Sequence, residues 1–366
     1  MRREDMTTLF SPLRFRNGVV ARNRVWLAPM TNQQSHDDGA LGDDELRWLR
    51  MRARGGFGVV ETCASHVSRD GQAWPGELGV FDDRLVPGLR TLASALAEDG
   101  ALGVVQLFHG GLRASRALIG QDAWSATAFE APNTPKARAA TESDIARVIG
   151  DFASAAARCA DAGFGGVELH GAHGFLLSQF LSRTINTRSD RWGGSFANRA
   201  HLVRSVLHAV RAAVPDRFVV GVRISPEDRG NAIGLDLDES IELVRSLCED
   251  GAYFIHLSLF DVTENTKKRP SEHAVPIFRA AIPRDVVLVA AGNVWTRADA
   301  DAVLARGADA VAIGRAAIAN PDWARRAEDP AWEPRRPPLG TDELRERGLS
   351  EKFANYMKNW PGFVRA

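Results

Sequence analysis

The chain has 366 residues, 45% of them hydrophobic and 25% charged, a composition typical of globular proteins with a large buried core. Its 46 basic and 46 acidic residues cancel, which removes the electrostatic case for binding nucleic acid or an anionic membrane. No apolar run is long enough to span a membrane, and the first ten residues lack the apolar core of a signal peptide. The isolated Cys63, Cys159 and Cys248 cannot build a disulfide framework or a four-thiolate cluster. We therefore expect a cytoplasmic enzyme.

Short apolar runs alternate with helical patterns along the chain. The runs lie at 25–30, 58–65, 102–108, 165–170, 218–225, 253–258, 286–292 and 310–314. They consist mostly of Val, Ile, Leu and Ala with little polar alternation, which is typical of parallel strands covered on both faces. Helical patterns between them include 43–55, 85–100, 141–163 and 237–251. Eight such alternations with right-handed crossovers predict an α/β fold, a (β/α)8 TIM barrel.

A doubly wound sheet is the competing architecture for this pattern. When it binds a dinucleotide, such a sheet normally carries a GxGxxG turn after an early strand. That spacing is absent from the glycines that follow the helical patterns here, so the barrel is favoured.

Three segments are predicted to lie outside the eight repeats. The pair Asn17-Gly18, flanked by strand-like residues, predicts an N-terminal β-hairpin before the first barrel strand. Residues 113–140 predict a long loop after the third strand, and the Pro-rich residues 328–340 lead to a short C-terminal tail. We expect a single domain over residues 1–366, with the barrel at about 23–327 and the C-terminal extension at about 328–366.

The carboxyl ends of the barrel strands are where a TIM barrel carries its chemistry. The residues at these ends are mainly polar and basic, and no carboxylates cluster after strands three to five. Metal-assisted hydrolysis and two-carboxylate glycosidase chemistry therefore fit poorly, and no metal is expected. They are Ala28, Pro29, Met30, Thr31, Ala64, Gln106, His109, His170, His173, Arg223, His256, Ser258, Gly292, Asn293, Gly314 and Arg315.

Glycines at the ends of strands seven and eight indicate an anion site. Gly292 and Gly314 expose backbone N–H groups where barrels usually bind phosphate, and Arg315 can add a charge-assisted hydrogen bond. The alternative is that both glycines only form tight turns.

His170 and His173 stand three residues apart where a strand enters a loop. A pair at this spacing can bind a metal or donate two hydrogen bonds to one oxygen. A metal needs a further ligand, and no Cys, Asp or Glu is evident nearby, so the second interpretation is favoured. Gln106, at the end of an apolar strand, can bond to a heterocycle.

These residues together resemble the Old Yellow Enzyme family of flavin-dependent ene reductases, and within it the bacterial branch of short barrels. The segment GFGGVELHGAHGFLLSQFLSRTINTRSDRWGGSFANR (163–199) is the most specific part of the resemblance. APM, QLFHGG, GVRIS and AIGRAAIANP follow the family's order around it, and the likeness extends from Leu9 to about Arg326.

The resemblance implies a non-covalent FMN at the barrel mouth. It places Thr31 near the flavin C4 carbonyl and N5, Gln106 at the pyrimidine edge and Arg223 beside N1 and the C2 carbonyl. The remaining residues implied to bind FMN are those around the ring, Ala28, Pro29, Met30 and Ala64, and those at the phosphate, Gly292, Asn293, Gly314 and Arg315. His170 and His173 would donate hydrogen bonds to the substrate's carbonyl or a phenolate, so the implied catalytic residues are His170, His173 and Thr31.

The sequence departs from the family in the implied substrate pocket, which includes Phe175 and His109. The family usually has at position 175 a tyrosine that donates a proton to the substrate, and Phe175 has no exchangeable proton. The arginine of the family's QLxHxGR pattern is shifted to Arg113 or lost. Solvent or another group must therefore supply the proton.

The resemblance implies an FMN-dependent oxidoreductase that takes hydride from NAD(P)H and reduces an electrophilic acceptor, in the first instance the C=C bond of an α,β-unsaturated carbonyl compound. Two alternatives are a specialised flavoenzyme for dehydrogenation or isomerisation, and a flavin- or phosphate-binding barrel without turnover. The expected partner is a small molecule, with neither nucleic acid nor membrane, and self-association is left open.

Overall fold

The structure is a computed structural model, and it describes residues 8–130 and 136–365. Eight of its strands are parallel and close into a barrel, in which each strand pairs with the preceding and the following barrel strand of the chain. This confirms the predicted (β/α)8 TIM barrel. The strands are β1 (Leu13–Arg14), β2 (Val20–Ala21), β3 (Val25–Leu27), β4 (Val59–His66), β5 (Leu102–Phe108), β6 (Ala123–Ser125), β7 (Ala137–Ala139), β8 (Gly166–Gly171), β9 (Val219–Ile224), β10 (Phe254–Ser258), β11 (Val287–Ala291) and β12 (Ala310–Ile313).

The barrel strands are β3, β4, β5, β8, β9, β10, β11 and β12, and β12 closes the ring by pairing with β3. All eight correspond to predicted strands. Nearly every residue in them is buried, because side chains on one face fill the barrel and those on the other pack under the helices. The first strand is shorter than its apolar run: it ends at Leu27, and the irregular segment that follows lines the barrel mouth.

Helices surround the barrel. They are α1 (Asp43–Arg54), α2 (Val86–Glu98), α3 (Arg116–Ile119), α4 (Glu142–Ala162), α5 (Leu176–Leu181), α6 (Phe196–Ala213), α7 (Leu237–Glu249), α8 (Ala274–Ala281), α9 (Arg297–Ala305), α10 (Arg315–Ala319), α11 (Trp323–Arg326), α12 (Thr341–Glu346) and α13 (Glu351–Tyr356). The four helices predicted by periodicity are α1, α2, α4 and α7. Helix α4 begins at a capping box of Thr141 with Asp144 and ends at Gly163, which adopts a left-handed conformation.

The predicted N-terminal hairpin is present as the antiparallel pair β1–β2. Gly18 adopts the positive φ of 86° that this turn requires. The hairpin places Phe15 against Trp26 and Phe254, with ring centroids 6.2 and 6.3 Å away. These residues belong to β3 and to the first position of β10, so the hairpin closes the end of the barrel opposite the strand carboxyl ends.

The segment predicted as a long loop, 113–140, contains regular secondary structure. It contains helix α3 and the parallel pair β6–β7, while residues 131–135 lie outside the described residues. Sequence periodicity cannot detect strands of three residues whose pairing partner is fixed by tertiary contacts.

The C-terminal extension folds back onto the barrel as α12, α13 and a turn of 3-10 helix at Met357–Asn359. The Ser350 N–H donates to Gln34 Oε1 (2.8 Å), and Phe353 packs edge-on against Trp48 with ring centroids 5.5 Å apart. The segment predicted as a tail is therefore in contact with the irregular segment after β3. Among the described residues, no helix combines the length and the apolar character needed to cross a bilayer.

Candidate active site

A cavity of about 470 Å³ lies at the carboxyl ends of the barrel strands. This volume falls within the range of small-molecule and cofactor sites. The predicted residues that line it are Ala28, Pro29, Met30, Thr31, His173, Arg223, Gly292, Asn293, Gly314 and Arg315. The structure thus brings together residues from the ends of β3, β8, β9, β11 and β12, which are far apart in the chain.

Backbone conformation shapes one side of the cavity around Gly292 and Asn293. Gly292 has a φ of 152°, and a Cβ there would lie 2.7 Å from the carbonyl oxygen of Leu259. The side-chain oxygen of Asn293 accepts from Arg315 (2.9 Å), which holds this exposed guanidinium beside Gly314. A Cβ on Gly314 would meet only the sulfur of Met30 within 4 Å, at 3.7 Å. Accessible backbone and a tethered cation suit a phosphate group.

Arg223 is buried at the cavity wall, where it donates to the Ser258 hydroxyl (3.1 Å). Its Nε is buried and has no hydrogen-bond partner among the described residues. Burial lowers the pKa of Arg223, while the charges of Glu168 and Glu61 act in the opposite direction. A buried guanidinium with an unused donor fits an electron-rich heterocycle edge such as flavin N1 and the C2 carbonyl. Together with the accessible backbone at Gly314, this donor set fits FMN.

The inside of the barrel beneath Arg223 holds a cluster of polar groups that the sequence did not predict. Glu168 accepts from the Gln106 amide (2.7 Å) and lies 2.7 Å from His256 Nδ1. The ligand atoms of Glu61, Glu168 and His256 lie within 4.8 Å of one another, and the Glu61 carboxyl oxygens have no partner among the described residues. Burial raises the pKa of Glu61, and the charge of Glu168 raises it further. We interpret Glu61 as the neutral carboxyl group of this cluster.

Gln106 and Ala64 occupy paired positions on β5 and β4 and are buried. Neither residue lines the cavity, and the side-chain amide of Gln106 donates a hydrogen bond to Glu168. Their contact with a flavin therefore remains a proposal that comes from the resemblance.

His170 and His173 contact each other at the edge of the cavity, with His170 Nε2 3.2 Å from His173 Nδ1. The Ala172 N–H donates to His170 Nδ1, so the neutral ring carries its proton on Nε2 and donates it to His173. His173 in turn donates from Nε2 to the Ser258 hydroxyl (2.6 Å). Burial lowers the pKa of both imidazoles well below the usual value, and Arg223 lowers both further. The pair is neutral, and its two N–H groups point along one chain of hydrogen bonds.

Phe175 lies at the N-terminus of α5 and packs edge-on against Phe108, with ring centroids 4.5 Å apart. The Arg113 guanidinium lies 4.2 Å above the Phe175 ring and donates to the His173 carbonyl (2.9 Å). Arg113 therefore contacts the backbone of the histidine pair, a contact that does not by itself make it the arginine of the family motif. Sequence reasoning placed Ser258 at a strand end but gave it no role, and it gave Arg113 none because the position of Arg113 depends on loop geometry.

His109 has a different environment from the one that the sequence suggested. It is buried against Trp124 (ring centroids 4.8 Å apart), and its Nδ1 accepts from the Gly111 N–H (3.0 Å). Its Nε2 lies 3.5 Å from Asp70, which also binds Arg147. His109 does not line the cavity, so we leave it out of the proposed substrate site.

The C-terminal extension supplies cavity residues that sequence reasoning missed. Tyr356, Met357 and Trp360 line the cavity opposite the strand ends. The aromatic residues of the segment FANYMKNW were the available signal, but nothing in the sequence indicates that the segment folds back over the barrel.

Comparison with known proteins identifies the family. The sequence profile of the NADH:flavin oxidoreductase / NADH oxidase family matches residues 8–331. A probable NADH-dependent flavin oxidoreductase of Bacillus subtilis, YqiG, is 34% identical over 328 residues, 88% of each chain. An NADPH dehydrogenase of Geobacillus is 34% identical over 323 residues, 87% of this chain and 92% of its own. Other relatives are longer, and the chain spans 33 to 51% of their lengths.

The fold comparison agrees with the sequence comparison. The structure of an old yellow enzyme homologue from Zymomonas mobilis superposes with a TM-score of 0.81 at 26% identity, covering 95% of this chain and 99% of the other. The alternative of a barrel without turnover is therefore set aside. The chain belongs to the NADH:flavin oxidoreductase / NADH oxidase family, within which it resembles the old yellow enzymes, and it is an oxidoreductase whose cofactors are FMN and NAD(P)H.

Proposed function

We propose that the enzyme reduces the C=C bond of α,β-unsaturated carbonyl compounds, and that it is a member of the short-barrel bacterial branch in which Phe175 replaces the usual proton-donating tyrosine. The observation that carries this proposal is the neutral His170–His173 pair beside a cavity whose donors fit FMN. Neutral imidazole N–H groups can polarise a carbonyl group by donating hydrogen bonds to its oxygen, and the imidazoles do not have to be protonated for this.

The cofactor would be held without a covalent bond. Arg223 would bind the N1 and C2 carbonyl edge, Thr31 would lie near N5, and Arg315 with the backbone at Gly292 and Gly314 would bind the phosphate. Bound FMN supplies the hydride-transfer chemistry, accepting two electrons from NAD(P)H and passing them to the acceptor. The protein contributes position and electrostatics.

The histidines would bind the substrate by exchanging hydrogen bonds. In the structure the His170 N–H is used by His173, and the His173 N–H by Ser258. A carbonyl oxygen between the two rings would accept a hydrogen bond from each N–H group. Ser258 would keep the hydrogen bond that it accepts from Arg223. The chain of bonds thus holds both donors in the required tautomers before substrate arrives.

A binding experiment tests this use of the histidines. A phenol should bind the oxidised holoenzyme and give a long-wavelength charge-transfer band. The double variant His170→Ala with His173→Ala should bind the phenol about tenfold to 150-fold more weakly. This range corresponds to the loss of about 1.5–3 kcal/mol for a hydrogen bond to a charged group. FMN content should be unchanged. An unchanged phenol Kd would show that the pair is structural.

The second candidate function is a dehydrogenation or isomerisation in a biosynthetic pathway, favoured by Phe175 alone. Anaerobic reduction followed by reoxidation separates the two. If NAD(P)H bleaches the flavin and 2-cyclohexenone restores its colour, ene reduction is supported. A flavin that benzoquinone reoxidises but cyclohexenone and other enones do not would contradict the proposed function and favour the second.

A further inference from the structure

Reduction of an activated C=C bond needs a proton at the α-carbon, and the phenyl ring of Phe175 cannot give one. A positioned acid ordinarily contributes about 10²–10⁴ in rate. The cavity therefore needs another donor if the proposed ene reduction, on which this inference rests, is efficient. We propose that Tyr356, delivered by the C-terminal extension, is this proton donor.

Tyr356 is the last residue of α13, and its side chain lines the cavity together with Thr31. The Thr31 side chain is near enough to the phenol to lower its pKa, and both residues line the same cavity. Thr31 lies in the irregular segment after β3, at the end of the barrel where the cavity lies, so its proximity places the phenol near the reacting part of the site. Trp360 packs edge-on against the Tyr356 ring, with centroids 5.0 Å apart, and fixes its orientation.

The chain offers few other acids at this place. It has two tyrosines, and the second, Tyr253, precedes β10 and donates to the Asp216 carbonyl at the other end of the barrel (3.2 Å). Arg223 and Arg315 keep their protons throughout the accessible pH range. His173, the histidine that lines the cavity, is committed to the carbonyl oxygen in the proposed function. Among the described residues that line the cavity, Tyr356 is the phenol available.

The surroundings of Tyr356 suit an acid that holds its proton until reaction. Burial raises the pKa of Tyr356 above its ordinary value of 10.0, so the group is a neutral phenol at pH 7. The side chain of Thr31 and the charge of Arg113 act in the opposite direction. Both would stabilise the phenolate that remains after the proton has left.

The proposed reaction adds a hydride and a proton to the alkene. NAD(P)H is oxidised by two electrons, and a hydride equivalent reaches the β-carbon of the alkene. The Oη–H bond of Tyr356 breaks as a C–H bond forms at the α-carbon, which gives the saturated carbonyl compound. Water entering at the cavity mouth returns a proton to the phenolate. A quinone accepts electrons at oxygen and needs no carbon protonation, so it reports electron transfer alone.

The test is anaerobic stopped-flow reoxidation of the holoenzyme by 2-cyclohexenone and by a benzoquinone. In Tyr356→Phe the cyclohexenone rate should fall at least about tenfold, just below the usual range for acid catalysis, and the quinone rate should stay within about twofold. Adding Phe175→Tyr to Tyr356→Phe should restore the enone rate by placing a phenol beside His170, whose ring centroid lies 5.0 Å from that of Phe175. Tyr253→Phe is the matched control and should leave both rates unchanged.

A second readout does not depend on turnover. Absorbance near 295 nm, followed with pH in the FMN-free protein, should show a phenol ionisation above pH 10 that Tyr356→Phe removes. Equal enone rates in wild type and Tyr356→Phe would overturn the assignment, and so would equal slowing with both acceptors, which indicates a structural role. Fast quinone but negligible enone reoxidation in the wild type would overturn the proposed function itself.

Discussion

Single residues around the cavity are held in unusual conformations. Gln33, His173 and Asn293 are the non-glycine residues with positive φ in the described ranges, at 56°, 59° and 52°. Such conformations cost of order 1–3 kcal/mol each and persist where surrounding contacts enforce them. The spacing of His170 and His173 predicted a pair of donors, but the direction of their hydrogen bonds depends on the backbone of His173. Sequence spacing carries no information on that conformation.

Arg223 can be tested through FMN affinity. It lines the cavity, it is influenced by the charges of Glu168 and Glu61, and its Nε has no hydrogen-bond partner among the described residues. Losing a hydrogen bond to a charged group costs about 1.5–3 kcal/mol. In Arg223→Ala we expect the FMN Kd, measured by flavin fluorescence with the FMN-free protein, to rise about tenfold to 150-fold. Arg245→Ala, on the exposed face of α7, is the control. An unchanged Kd and midpoint potential would place Arg223 away from the flavin.

Glu61 gives a pH-dependent prediction. Its folded pKa is raised above the ordinary value of 4.5, first by burial and then by Glu168. Above pH 4.5 the folded state therefore binds more protons than the unfolded chain. The stability that this provides is fully present below pH 4.5 and is lost as pH rises through the folded pKa, by up to about 1.36 kcal/mol per pH unit for one proton.

The neutral variant Glu61→Gln should lack this loss. Urea unfolding at pH 5.5 and pH 8 should therefore show its stability relative to wild type increasing with pH. Glu242→Gln, on an exposed position of α7, should show no such trend. A difference that is constant across the two pH values would mean that Glu61 is ionised in the folded protein.

At the scale of elements, the barrel strands could be predicted because each carries a continuous apolar run that is long enough to be distinctive. The pair β6–β7 and the cap formed by α12 and α13 could not be predicted. These elements are short, and their apolar residues become buried only through contacts with the barrel. The same holds for the cavity: its strand-end residues follow from the fold class, whereas Tyr356 and Trp360 reach it from a segment with no periodic signal.

Helix α1 anchors the irregular segment that carries Thr31. The buried Glu45 accepts from the Asn32 amide (3.2 Å), from the Ser35 hydroxyl and from the Cys63 thiol (3.1 Å). Removing this acceptor leaves three buried donors unpaired, at about 1–3 kcal/mol each. We expect Glu45→Ala to lose at least about 3 kcal/mol of unfolding free energy and to bind FMN more weakly. Glu45→Gln keeps one oxygen acceptor and should therefore lose less unfolding free energy than Glu45→Ala, as measured by urea unfolding. Equal losses in the two variants would show that hydrogen bonding to Glu45 does not position the segment.

At the scale of the whole molecule, the extension and the barrel share one apolar core. This core runs from Leu9 before the hairpin to Phe363 near the C-terminus. The buried Arg52 of α1 donates both to the Arg347 carbonyl in the extension (2.8 Å) and to the Ala317 carbonyl in α10. We propose from this continuity that the chain folds as a single domain, with the extension as part of the cooperative unit.

Phe353 tests this proposal, because it is fully buried in α13 and contacts Trp48 of α1. A buried phenylalanine changed to alanine typically costs about 3–5 kcal/mol. If the extension belongs to the cooperative unit, Phe353→Ala should shift the whole urea transition by that amount, with coincident curves from far-ultraviolet circular dichroism and tryptophan fluorescence. Lys352→Ala, at the exposed neighbouring position, should leave the transition in place. If the extension were a separate unit, Phe353→Ala would instead produce an early, small transition and leave the main barrel transition at its wild-type midpoint.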